Sequence, residues 1–169
     1  MQPANVPADA ELETLAMRLA IVLQQRSLML ASAESCTGGW ITKTLTDLSG
    51  SSAWFQAGVV SYSNEAKMSL LGVRKETLER RGAVSEETAL EMVSGALSRL
   101  NAGVAVAVTG IAGPMGGTPE KPVGTVWISW QRRGAAARVQ RFHFVGDREA
   151  VRRHTVAAAL EGLLRMLTD

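Results

Sequence analysis

The sequence predicts an α/β fold, a three-layer α/β/α sandwich on a mixed, mostly parallel sheet. Two observations carry that expectation. Apolar runs of strand length alternate with segments of helical period, which makes neighbouring strands parallel and places helices on both faces of a sheet. The last two strand-like runs, 123–131 and 136–144, are separated by Arg132-Arg133-Gly134, a hairpin signal that brings in at least one antiparallel strand.

The elements follow in order. Residues 1–8 hold two of the five prolines and no hydrophobic period, so they read as a flexible leader, with a single domain over 9–169. From Asp9 to Arg26, Leu12, Leu15, Ala16, Leu19, Val22 and Leu23 recur at three- and four-residue steps, the pattern of an amphipathic helix. An apolar run over 27–33 is broken by Glu34-Ser35-Cys36-Thr37-Gly38-Gly39 before a second helical pattern, 40–48. Residues 53–61 suit a strand, and Ser63 or Asn64 caps a short helix whose first turn holds Lys67. After Gly72 come a short charged helix and a longer one opened by Ser85-Glu86-Glu87-Thr88 and running to about Leu100. A buried strand over 103–108, a Gly/Pro-rich loop over 109–122, the hairpin, and a helix over 147–167 complete the chain.

Composition excludes several classes of function. Charged residues make up 20% of the chain and are interleaved in sign, giving a formal charge of +2, so no basic stripe for nucleic acid is present. No apolar stretch approaches the roughly 20 residues of a membrane span, and the first residues lack the charged and apolar regions of a secretory signal. The one cysteine, Cys36, cannot close an intrachain disulfide, so the cytoplasm is the expected compartment.

Ligands of open α/β sheets bind beyond the carboxyl ends of parallel strands, and three polar or glycine-rich segments stand there: 34–39, 61–67 and 109–117. Ser35 sits at a strand-to-helix turn where the N–H groups of Cys36, Thr37 and Gly38 suit a developing oxyanion; the competing reading makes Ser35 or Thr37 a simple helix cap. His143 and His154 lie in a hairpin strand and the last helix, far from these segments, so they read as structural. The candidate base is therefore Lys67, a proton acceptor once its pKa is lowered, with Tyr62 relaying a proton or orienting substrate; alone, Lys67 would read as a surface residue. The glycine-rich loop matches neither standard phosphate motif. Arg148, Arg152 and Arg153 stand where they could meet a phosphate or form ion pairs. Cys36 is either a second nucleophile or a packing residue, and no cluster has metal-ligand spacing, so neither metal nor cofactor is expected.

Four ordered segments, Ala33-Glu-Ser-Cys-Thr-Gly-Gly, Gly58-Val-Val-Ser-Tyr-Ser-Asn-Glu-Ala-Lys, Gly82-Ala-Val-Ser and Val108-Thr-Gly-Ile-Ala-Gly-Pro, closely resemble the CinA C-terminal domain family, and the likeness continues through Gly116 to Val126. The resemblance implies an α/β/α domain that hydrolyses the carboxamide of nicotinamide mononucleotide to nicotinic acid mononucleotide and ammonia. It implies Ser35 as nucleophile, Lys67 as base and Tyr62 as assistant. Glu34, Thr109, Gly110 and Gly113 would serve substrate binding, Arg148 or Arg152 would neutralise the phosphate, and a homo-oligomer, preferably a dimer, is expected. Met115 stands where the family leads one to expect an acidic residue. The alternative is a module that binds a nucleotide, or a partner in competence or DNA damage, without turnover.

Overall fold

The computed structural model describes residues 5–169; residues 1–4 of the expected leader lie outside them. Among the described residues five strands, β1 (Leu30–Glu34), β2 (Phe55–Val60), β3 (Val104–Gly110), β4 (Thr125–Arg132) and β5 (Arg138–His143), form one sheet in the order β2-β1-β3-β4-β5. β1 pairs in parallel with β2 and β3, while β3–β4 and β4–β5 are antiparallel, so four of the five strands run the same way. The sheet is mixed, as the closing hairpin requires.

Among the described residues six helices cover it: α1 (Asp9–Gln25), α2 (Trp40–Thr46), α3 (Asn64–Leu71), α4 (Lys75–Arg81), α5 (Glu86–Arg99) and α6 (Arg148–Thr168). The alternation of β3 divides them into two layers. Val104, Val106 and Val108 point into a core with α1, α2 and α6, whereas Ala105 and Ala107, with Ala31 and Ala33 of β1, face α3, α4 and α5. Small residues on the second face let α5 lie close to the sheet, and Ser129 of β4 donates to the Ala89 carbonyl of α5. Two glycines mark backbone contacts that no side chain could enter: a Cβ on Gly95 would overlap the Leu71 carbonyl of α3, and one on Gly162 would overlap the Trp130 ring.

Strand ends differ from the expected ones for local reasons. β1 begins at Leu30 rather than Ser27, because Ser27 takes φ +52° and the Leu28 N–H turns back to the Leu23 carbonyl, ending α1. β2 begins at Phe55 because Ser51–Ala53 form a 3-10 turn. β3 runs on through Thr109 and Gly110, which pair with Trp127 and Val126 instead of opening the loop. No helix among the described residues is long and apolar enough to cross a membrane.

Candidate active site

The parallel strands deliver three segments to one end of the sheet. After β1, Ser35 N–H donates to the Val108 carbonyl, so the nucleophile candidate stays tied to β3 before Gly38 (φ +59°) and Gly39 (φ +99°) turn the chain into α2. After β2, Ser61 N–H donates to the Glu34 carbonyl, and the Ser63 hydroxyl caps α3 by accepting from Ala66 N–H. One turn into α3, Lys67 reaches back under both segments.

Lys67 is 1% exposed. Its Nζ lies 2.8 Å from the Ser61 carbonyl, 3.1 Å from the Tyr62 carbonyl and 3.0 Å from Ser35 Oγ. Among the described residues no carboxylate pairs with it, and burial holds its ammonium below the ordinary pKa of 10.5. In the neutral amine two N–H bonds can serve the two carbonyls while the lone pair accepts the Ser35 O–H. That arrangement suits a general base poised on a serine.

The turn after Ser35 is fixed from below. Glu34 is fully buried, and its carboxylate accepts from the Thr37 hydroxyl, Gly39 N–H, Ile41 N–H, and both the N–H and hydroxyl of Thr42. Its lone pairs are thus spent inside the protein, so the expected role of Glu34 in substrate contact gives way to one in shaping the turn. Gly38 N–H likewise donates to the Ser35 carbonyl rather than facing a ligand. The N–H groups of Cys36 and Thr37 meet no protein acceptor among the described residues. Burial pushes the Cys36 thiol up to about 12, which removes it as a nucleophile.

A cavity of about 220 Å³ opens over Ser35, Cys36 and Lys67, with Tyr62, Thr109, Gly110 and Arg148 also on its wall. Ala83, Val84 and Ala112 complete the wall, and chemistry gave no signal for these apolar residues; only the family-like segments Gly82-Ala-Val-Ser and Val108-Thr-Gly-Ile-Ala-Gly-Pro hinted at them. Tyr62 is 59% exposed, and its hydroxyl accepts from Arg148 Nη2 at 3.1 Å, so its backbone carbonyl, not its phenol, touches Lys67. Arg148 also donates to the Gly113 carbonyl, and Gly113 itself lies behind the wall. Thr109 donates its hydroxyl to the Ala83 carbonyl, joining β3 to the 82–85 segment.

Arg152 departs from expectation. Its Nε and Nη2 donate to the carbonyls of Cys36 and Thr37 at 3.1 and 2.9 Å, behind the cavity, and its guanidinium stacks on Trp40. It holds the nucleophile turn instead of lining the substrate space. Arg153 stacks on the same ring and pairs with Asp9 and Glu149. His143 bonds the Val123 carbonyl and His154 stacks on Phe144, both outside the cavity, and Met115 is 85% exposed. Hollows of 310 and 350 Å³ exist elsewhere, but neither contains a nucleophile beside a base.

Residues 12–167 match the CinA C-terminal domain family. The chain belongs to that family. It is 50% identical over 155 residues to the nicotinamide-nucleotide amidohydrolase PncC of Escherichia coli strain K12, covering 92% of this chain and 94% of that one. Against the protein of the same name from Pseudomonas putida it is 52% identical over 158 residues, covering 92% and 97%. The crystal structure of the competence/damage inducible protein CihA from Agrobacterium tumefaciens superposes on it with a TM-score of 0.91 at 45% identity, covering 98% of this chain and 99% of that one. In this CinA C-terminal domain, then, the serine-lysine pair stands at the switch between β1 and β3, where doubly wound sheets hold their ligands.

Proposed function

We propose that this protein is a nicotinamide-nucleotide amidohydrolase that converts nicotinamide mononucleotide to nicotinic acid mononucleotide and ammonia through a Ser35 nucleophile and a Lys67 base. The observation that carries the reading is the buried contact of 3.0 Å between Lys67 Nζ and Ser35 Oγ, in a lysine that lacks a carboxylate partner among the described residues. Half-identical relatives that bear the amidohydrolase name support the substrate.

In the mechanism, Ser35 Oγ attacks the carboxamide carbon while neutral Lys67 takes the serine proton. The oxygen of the tetrahedral intermediate gathers negative charge, for which the Cys36 N–H on the cavity wall is the available backbone donor. As the C–N bond breaks, the Lys67 ammonium returns its proton to the leaving nitrogen, and ammonia departs from an acyl-Ser35 ester. Water then attacks the ester with Lys67 again as base, releasing the carboxylate product and restoring Ser35. A cavity of about 220 Å³ falls short of the roughly 300 Å³ at which small-molecule sites begin, so the ring enters and the ribose phosphate extends past Tyr62 and Arg148 to solvent.

Ammonia release from nicotinamide mononucleotide by wild type, Ser35→Ala and Lys67→Met tests the reading. Turnover by wild type alone supports it. A folded wild type that binds the nucleotide without releasing ammonia overturns it in favour of a sensor.

A further inference from the structure

Within that proposed reaction, we infer that Arg152 is a positioning residue that polarises the oxyanion donor, Cys36 N–H, through the backbone, rather than a ligand for the substrate phosphate. The geometry runs through two peptide chains of hydrogen bonds. Arg152 Nε donates to the Cys36 carbonyl, whose own peptide carries the Thr37 N–H. Arg152 Nη2 donates to the Thr37 carbonyl; the peptide of that carbonyl carries the Gly38 N–H, which donates to the Ser35 carbonyl, whose peptide in turn carries the Cys36 N–H. The Cys36 and Thr37 N–H groups, which meet no protein acceptor among the described residues, therefore sit at the free ends of relays that start at one guanidinium.

Such relays polarise each peptide in the same sense, strengthening successive bonds by roughly 10–30% in low-dielectric surroundings. The longer relay ends at Cys36, on the cavity wall beside Ser35, where negative charge develops only after attack, so the gain belongs to the transition state rather than to bound substrate; the shorter one ends at the fully buried Thr37 and stiffens the same turn. Two further contacts fix the donor. Arg152 lies 5.1 Å over the Trp40 ring at the start of α2, and its Nη2 reaches contact distance of Gly38, 3.4 Å from where a Cβ would stand. Glu34 grips the N–H side of the same turn while Arg152 grips its carbonyl side, so the two opposite charges hold one backbone loop. Arg148, in contrast, is on the cavity wall and within reach of a ligand.

The test compares wild type, Arg152→Met and Arg152→Lys on nicotinamide mononucleotide and on phosphate-free nicotinamide riboside. Alongside, the rate at which diisopropyl fluorophosphate labels Ser35 is followed by mass spectrometry. In that labelling Ser35 Oγ attacks phosphorus, fluoride leaves and Lys67 takes the proton, so it reports the turn without using the nucleotide. Losing the relay should lower kcat about 10- to 100-fold on both substrates with KM little changed, and slow labelling by a similar factor, since one oxyanion donor is commonly worth about 100- to 1000-fold. Should Arg152→Met fail to fold, Arg152→Lys decides, because one ammonium cannot hold both carbonyls as the planar fork does. A rise in KM confined to the phosphorylated substrate, with labelling unchanged, overturns the inference and makes Arg152 a phosphate ligand. If wild type labels but releases no ammonia, the substrate reading falls while labelling rates still decide the role of Arg152; if Ser35 does not label either, both fall.

Discussion

At the scale of single residues, Lys67 carries an energetic cost that its chemistry needs. Burial disfavours its charged form, so the unfolded chain binds a proton that the native state resists. Native stability is therefore fully present above the unfolded pKa near 10.5 and is lost as pH falls toward the depressed folded value. Thermal melts should accordingly show wild type gaining stability with rising pH through that window, and Lys67→Met losing the gain together with turnover. The pH profile of kcat/KM should rise through the same depressed pKa, because only the amine accepts the Ser35 proton. Ser35→Ala should cut kcat by about a thousandfold or more with the fold intact by circular dichroism. Glu34→Gln, measured by urea unfolding, should cost about 1–3 kcal/mol, because an amide nitrogen must then face groups that are themselves donors.

Between elements, the site depends on how closely α3 and α5 approach. Gly95→Ala would gain roughly 1 kcal/mol of helix propensity in isolation, but its Cβ overlaps the Leu71 carbonyl, and overpacking of this kind costs about 1–3 kcal/mol. Overlap with backbone wins because a carbonyl cannot rotate away as a side chain can. The variant should unfold at lower denaturant and lose activity beyond what its folded fraction explains, since α3 carries Lys67. Helix periods and two caps were legible in the sequence at this scale: Ser85 caps its helix as expected, and of Ser63 and Asn64 it is Ser63 that caps α3, while Asp147, expected as the first residue of the last helix, is its cap. Strand starts were less legible, because Ser27 and Ser51–Ala53 spend apolar neighbours on turns whose geometry depends on the preceding helix.

Across the whole molecule, the sheet couples two cores to one edge, the end of the parallel strands that holds the candidate site. The valine face of β3 packs α6, which supplies Arg148 and Arg152, and the alanine face packs the helices around Lys67. A ligand spanning that edge should stabilise the whole domain. In Ser35→Ala, nicotinamide mononucleotide at 100 times its Kd should add about 2.7 kcal/mol, a Tm shift of roughly 5–10 °C for a domain of this size. An unchanged Tm at saturating nucleotide would contradict the substrate assignment.

The sequence by itself determined the element order, the mixed sheet and the family, and it singled out Ser35, Tyr62 and Lys67 as candidates. Periodicity, caps and ordered motifs are local properties, and they survive being read one segment at a time. Only the tertiary structure decided what each polar group touches. Glu34 turned inward because five donors of the following turn converge on it, and Arg152 closed over that turn because α6 crosses behind Trp40. Arg148, one helical turn earlier, was left facing the cavity. A residue type states which bonds it can make, but which partners lie within 3 Å depends on elements far away in sequence, and packing alone brings those together.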